Sequence, residues 1–305
     1  MRIVFMGTPD YACPSLTKLH REHEIVMVYT QPDRPSGRGY QLSASPIKKL
    51  AERLGLPIHQ PASLRGEAEA AFLRSLSPDV VVVIAYGSLL PQALLDIPRF
   101  GCINAHGSLL PRHRGASPMQ QAILDGDQLT GVTTMLMDQG MDTGQILLQQ
   151  STELGDKTIS QLHDELAELS ADLLVETLRR IQRIEPQAQD DAQATYTTKI
   201  SRQDGLIDWR LPAEELHRRW RAYHPWPGVT TRLHNKPLKL HEIEVIPDGT
   251  GEPGAVIATS QAGIDIATGD GVIRIKRLQP PGKRAMSAVD YLRGNALAKG
   301  EILGE

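Results

Sequence analysis

No window of the 305 residues approaches the roughly 18 to 20 consecutive apolar residues that a membrane-spanning helix requires. The longest apolar stretch, VVVVIAY from Val80 to Tyr86, has the length of a buried strand. Cysteine is scarce: Cys13 and Cys102 are the only two, their spacing matches no zinc motif, and free thiols are expected. The first 30 residues contain Asp10, His20, Glu22 and Glu24, so they do not read as a secretory leader. A cytoplasmic protein with no membrane partner is therefore expected. Nucleotide signatures are missing too. GTPD follows the first strand but is not GxGxxG, SGRGYQ is not flanked by strand and helix, and there is no GxxxxGK[ST] loop. Ser108 lacks the GxSxG surroundings of an activated nucleophile, and no HExxH pairs two histidines for a metal. Internal repeats and low-complexity tracts are also lacking.

What is present begins with an alternation of strand and helix patterns. RIVFMG, EIVMVYT, LPIHQ, DVVVVIAYG, FGCINAH and GVTTMLM read as strands, the last as another parallel one. Between them lie helices opened by Pro9-Asp10, by Ser45-Pro46 and by Glu67. Residues 30–46, TQPDRPSGRGYQLSASP, are too interrupted by proline and glycine to be regular. A long helix is expected from Thr158 to about Ile184, with Leu162, Leu166, Leu169, Leu173, Leu174 and Leu178 at helical spacing. This pattern predicts an α/β domain over 1–185 with a Rossmann-like, open and mostly parallel sheet. PQAQDDAQATYTTKI has no apolar period and reads as a linker over 186–205. The remainder, 206–305, has one helix and then five short strand candidates punctuated by glycines, which predicts a small β-barrel.

Charge is unevenly placed. The whole chain carries 33 Lys+Arg and 36 Asp+Glu, a formal net charge of −3. Residues 206–305 hold 14 basic against 12 acidic side chains, and 209–239 hold seven basic residues against Glu214 and Glu215. Such a stretch can recruit a polyanion, or it can be a solvated helix face.

The chemistry-bearing stretch is INAHGSLLPRHRG, 103–115. Strand alternation points Asn104 and His106 the same way at the carboxyl end of FGCINAH, where open α/β sheets bind ligands. A neutral imidazole can take a proton, and an amide can donate to a developing oxyanion. The alternative is a hydrogen-bonded histidine that merely closes a strand, with Asn104 in a turn. MDQGMDTG, 137–144, adds Asp138 and Asp142 on a loop expected at the same rim. A carboxylate beside His106 would fix its tautomer; either aspartate can instead make an Asx turn. His106, His113, Asp138 and Asp142 are all metal-ligand types, yet no local signature joins them, and no metal is expected.

FMGTPD at 5–10, TQPDRPSGRG at 30–39, VVIAYGSLLP at 82–91, CINAHGSLLPRHRGASP at 102–118, MDQGMDTG at 137–144, YHPWPG at 223–228 and LQPPGKRAMS at 278–287 resemble the 10-formyltetrahydrofolate-dependent formyltransferases over nearly the whole chain. The early loop and the late YHPWPG and PPGK segments resemble the branch acting on methionyl-tRNA. That resemblance implies a catalytic trio at Asn104, His106 and Asp142. It implies folate against Ser108, Leu109, Leu110 and Pro111, against Tyr86 and Gly87, and against the 137–142 loop with Asp138. It implies an OB-like second domain that helps hold methionyl-initiator tRNA, with Arg38 reaching the acceptor end. Tyr40-Gln41 stands where some relatives place further basic residues.

With that function, Arg218, Arg221, Lys276, Arg277, Lys283 and Arg284 are expected to meet phosphates. Trp209, Trp226 and His163 are expected to be structural rather than to serve the substrates. A monomer is expected. Two other readings stand beside this one: formylation of a nucleotide amino sugar by the same trio, and a non-catalytic RNA-binding module.

Overall fold

The computed structural model describes residues 1–36, 41–246 and 248–304, so Arg38 lies outside the described residues. The chain divides into two compact units. The first comprises Met1–Pro118, Leu129–Glu153 and Leu162–Thr197; the second comprises Met119–Gln128, Leu154–Gln161 and Thr198–Glu305. No helix of the described residues is long and apolar enough to cross a membrane.

The first unit is built on seven strands: β1 (Arg2–Gly7), β2 (Glu24–Tyr29), β3 (Ile58–His59), β4 (Val80–Ile84), β5 (Cys102–His106), β6 (Leu129–Leu136) and β7 (Ile146–Glu153). Their order across the sheet is β7-β6-β5-β4-β1-β2-β3. All five residues of β4 are buried, as an uninterrupted valine run requires when both faces are covered. Each such side chain contributes at most about 1.5–3 kcal/mol of transfer free energy. Five strands, β3 to β5 along the sheet, are parallel.

β6 departs from expectation: it runs antiparallel to β5, and β7 runs antiparallel to β6. Leu136, at the end of β6, therefore lies beside Ile103, and the 137–145 loop does not leave from the rim where β5 ends.

The helix Pro46–Leu54 starts where Ser45 accepts a bond from Lys48 N at 3.0 Å. The helix Ile159–Arg180 ends four residues before the expected Ile184, and it buries Leu162, Leu166, Leu173, Leu174 and Leu178. Within 30–46, Arg34–Ser36 pairs antiparallel with Gln41–Ser43, which corrects the irregular reading. Asp33 anchors its start, accepting from Lys48 Nζ at 2.6 Å and Gln60 Nε2 at 2.9 Å, and these two donors hold its carboxyl below the usual range. Part of the polar 186–205 stretch is likewise paired within the first unit: Gln187 bridges Ile146, and Tyr196–Thr197 runs parallel to Arg114–Gly115.

In the second unit β8 (Val229–Leu233), β9 (Lys236–Ile246), β10 (Val256–Ser260), β11 (Gly263–Ala267) and β12 (Val272–Gln279) form an antiparallel sheet in the order β8-β9-β12-β11-β10. Met286–Ser287 adds to β12. Arg274 faces Asp265 across β12 and β11 and grips its carboxylate at 2.7 and 2.9 Å. Trp209 is buried and donates to Thr231 Oγ1 at 3.0 Å, whereas Trp226 is 55% exposed and is no core anchor.

The helix Ala213–Tyr223 carries Trp220, whose ring stacks with His217 at 5.8 Å and with His224 at 5.3 Å. Burial is the main cause that lowers both histidines below the ordinary value of 6.5; Arg221 adds to it at His217, and His241 and Lys239 at His224. The neutral imidazole is thus the form that the fold favours, so the unfolded chain binds more protons just below that value. The share of stability tied to these two histidines is fully present above pH 6.5 and is lost as pH drops through the lowered values. Urea unfolding followed by tryptophan fluorescence is expected to give a midpoint that declines as pH is lowered below the ordinary histidine value of 6.5. His224→Gln should flatten part of that decline, and equal slopes for the two proteins would contradict the assignment.

Candidate active site

β5 delivers Asn104 and His106 to one side of the sheet while Ile103 and Ala105 enter the core. His106 is 6% exposed. Its Nε2 lies 2.9 Å from the carbonyl oxygen of His113, which can only accept, so Nε2 carries the hydrogen. Nδ1 of the neutral ring is then the proton acceptor, and it faces Asp142 Oδ1 at 3.6 Å. Asn104 Nδ2 approaches the same oxygen at 3.5 Å. The other carboxylate oxygen of Asp142 accepts the Gly115 N–H at 2.8 Å. The structure therefore brings all three side chains of the expected trio together.

Asp142 arrives by a different route from the one expected. Because β6 is antiparallel, the loop leaves beside Ile103 and must fold back. Met137 N bonds Cys102 O at 2.8 Å, and Leu136 N bonds Gln145 O at 2.9 Å, closing the loop at its base. Gly144 permits that closure, since a Cβ there would sit 1.6 Å from Leu136 O. Asp138 is committed to the loop: its Oδ1 accepts from Gly140 N at 2.9 Å and Thr143 Oγ1 at 2.7 Å. This is an Asx turn, the local alternative for that residue.

The Ser108–Pro111 turn is similarly self-satisfied. Ser108 O accepts from Thr133 Oγ1 at 2.7 Å, Leu109 O from Arg112 N at 3.1 Å, and Leu110 O from Gln149 Nε2 at 2.8 Å. Leu110 N donates to Thr133 Oγ1 at 3.0 Å. Each of these carbonyl oxygens keeps a second lone pair. Tyr86 is buried and its carbonyl accepts from Thr8 Oγ1 at 3.1 Å, but Gly87, Ser88 and Leu89 are exposed beside it. Leu89 and Met141 are large apolar side chains left open, at 64% and 55% exposure.

Three residues around the trio escaped the sequence reading. Arg114, in the quoted motif itself, is 1% exposed and donates from Nε to Gln189 Oε1 at 3.0 Å. Gly115 supplies the bond to Asp142, and its φ of +114° suits glycine. Gln189 donates to the carbonyl oxygens of Asp142 and Gly144 at 2.9 and 2.7 Å. Their place inside the INAHGSLLPRHRG motif is the signal that could have found Arg114 and Gly115; nothing local points to Gln189. Among the described residues no three or more His, Cys, Asp or Glu are grouped to hold a metal.

In the second unit, Arg277, Lys283 and Arg284 are exposed. Lys276 is shared between Glu242 at 3.8 Å and Glu244 at 3.6 Å. Arg218 is partly buried and bonds Leu124 O at 3.2 Å. Arg221, by contrast, is only 6% exposed, and its Nη1 donates to Gly155 O at 2.6 Å.

Comparison with known proteins places the whole chain in a family. Residues 1–178 match the family described as formyl transferase, and 199–296 match the formyl transferase C-terminal domain. The methionyl-tRNA formyltransferase of Trichlorobacter lovleyi is 48% identical over 306 residues, covering 99% of this chain and 96% of that one. That of Methylococcus capsulatus is 47% identical over 309 residues and covers 100% of both chains.

Two solved structures carry the fold at low identity. HypX from Aquifex aeolicus in complex with tetrahydrofolic acid has a TM-score of 0.64 and 19% identity, covering 96% of this chain, which spans only 47% of HypX. The N-formyltransferase from Helicobacter canadensis, in complex with folinic acid and dTDP-3-aminofucose, has a TM-score of 0.66 and 17% identity, covering 90% of this chain and 98% of that one. The full-length relatives and the two family matches decide the matter: this chain belongs to the methionyl-tRNA formyltransferases and is a formyl-transferring enzyme of translation initiation.

Proposed function

We propose that the chain moves the formyl group of 10-formyltetrahydrofolate to the α-amino group of methionyl-initiator tRNA beside Asn104, His106 and Asp142. The observation that carries this is the approach of His106 Nδ1 and Asn104 Nδ2 to one oxygen of Asp142, at 3.6 and 3.5 Å. The folate supplies an activated formyl carbon when bound. His106 Nδ1 takes the proton that the attacking amine must lose, directly or through water. The imidazolium so formed faces the Asp142 carboxylate, which stabilises it and keeps the ring in place. Opposite charges about 4 Å apart interact by about 4 kcal/mol at an effective dielectric near 20. Asn104 Nδ2 donates to the negative charge that develops on the formyl oxygen. His106 can then return its proton to the departing folate nitrogen. None of these steps needs an enzyme nucleophile or a metal.

The folate would lie along the exposed 87–89 stretch with Leu89 and Met141 at its border. The first domain, 1–185, does the chemistry in this reading, and 206–305 holds the tRNA through Arg277, Lys283 and Arg284. The enzyme works as a cytoplasmic monomer. Mixing it with 10-formyltetrahydrofolate and Met-tRNA should give formylmethionine on the RNA. Product on an amino sugar nucleotide instead would replace this acceptor, and tRNA binding without any transfer would leave an RNA-binding module.

Arg38 is proposed to contact the acceptor end. Arg38→Ala is expected to lower kcat/KM for charged initiator tRNA by about 10-fold or more, the scale of one charge-assisted bond. The KM for folate should stay within about twofold. Equal effects on both substrates would point to damage of the fold.

A further inference from the structure

We propose that Gln189 is a positioning residue for Asp142, held in its donor orientation by Arg114. The inference rests on Asp142 acting at the site as described above. Asp142 has φ +58°, in the left-handed region, which aspartate visits more readily than most non-glycine residues but still at a cost that its surroundings must offset. The Gln189 amide supplies that hold. Its Nε2 donates one hydrogen to Asp142 O at 2.9 Å and the other to Gly144 O at 2.7 Å, straddling the strained residue.

An amide can turn over and present its oxygen instead, which would repel both carbonyls. Arg114 removes that choice. Its guanidinium has only donors, and its Nε meets Gln189 Oε1 at 3.0 Å, so the NH2 must face the loop. Arg114 is in turn fixed by Asp191 Oδ1 at 2.8 Å and Tyr196 Oη at 3.2 Å. Asp191 and the aromatic hydroxyl raise the Arg114 guanidinium further above its already high value, against the effect of its burial, so its charge and its donors persist. The result is one chain of hydrogen bonds from Asp191 through Arg114 and Gln189 to the backbone of Asp142. Gly115 fixes one carboxylate oxygen, and Gln189 fixes the main chain from which the carboxylate hangs. Both are needed to aim the other oxygen at His106.

The test compares wild type with Gln189→Ala, Gln189→Glu, Asp142→Ala and the Asp142→Ala/Gln189→Ala pair. For each, kcat, both KM values and tRNA affinity are measured. Gln189→Glu keeps the size of the side chain and the bond to Arg114 but loses the amide hydrogens, so it decides the matter if the alanine variant folds poorly. Both single Gln189 variants are expected to lose about 10- to 100-fold in kcat, the scale of a small displacement of a catalytic group. Their KM values and tRNA affinity should stay within about threefold. In the Asp142→Ala background, Gln189→Ala should cost nothing further, because its effect runs through the missing carboxylate. Wild-type kcat in Gln189→Glu, or losses that multiply in the pair, would overturn the inference and leave a merely structural glutamine. Full turnover in Asp142→Ala would instead overturn the reading of the site, and the inference would go with it.

Discussion

His106→Ala is expected to lower kcat by about 10³-fold or more, with methionyl-tRNA affinity within about twofold of wild type. Two effects combine in that number. General base catalysis by a positioned imidazole is worth about 10²- to 10⁴-fold, and the variant also leaves the Asp142 carboxylate facing an empty space. Binding should survive because the ring is 6% exposed and the exposed cations of the second unit lie on other elements. Imidazole in the buffer should restore part of the rate, since the space left by the ring retains the His113 carbonyl as an acceptor. His106→Gln provides a second check: its amide can donate to that carbonyl but has no basic nitrogen, so it should be as slow as alanine. Single-turnover formylation and equilibrium tRNA binding measure the two quantities separately. Turnover within tenfold of wild type would remove His106 as the proton acceptor.

Much of this site was legible before any coordinates. Strand alternation in FGCINAH fixed the common direction of Asn104 and His106, and a glycine-rich loop brought Asp142 into consideration. The valine run over Val80–Ile84 marked a covered strand, and Ser45-Pro46 marked a helix start. These are local signals, and local signals are what periodicity and capping report.

The failures have a common physical origin. Apolar patterning does not encode strand direction, so GVTTMLM read as parallel although β6 is antiparallel. Arg221 carries the same charge whether solvated or buried, and its carbonyl partner Gly155 is 66 residues away. Gln189 sits in a polar stretch without period, and its two acceptors are 47 and 45 residues earlier. A hydrogen bond to a backbone carbonyl leaves no trace in the identity of the accepting residue. Asp138 shows the converse: its Asx turn, a bond between residues two apart, was readable locally.

Gly115→Ala should cost both stability and activity, and the two losses have separable causes. With φ at +114°, an L side chain at this position is strained by about 1–3 kcal/mol before any contact is considered. The added Cβ would also stand 2.5 Å from Thr197 O and 3.0 Å from Thr197 Oγ1. Neither atom can yield cheaply, because Thr197 is paired with Gly115 and its hydroxyl accepts from Ser117 N at 3.0 Å. The substitution must therefore push apart the Arg114–Gly115 and Tyr196–Thr197 strands. Since Gly115 N–H holds Asp142 Oδ2 at 2.8 Å, that displacement moves the carboxylate away from His106.

We expect Tm to fall by about 4–10 °C, at roughly 2–4 °C per kcal/mol for a unit of this size. We expect kcat to fall by about 10- to 100-fold at temperatures where the variant is still folded. Gly55→Ala separates strain from function: it shares a positive φ, +67°, but its Cβ would meet nothing within 4 Å. It should lose stability modestly and keep its kcat. A Gly115→Ala enzyme with wild-type kcat would mean that the Gly115 amide does not control where the Asp142 carboxylate points.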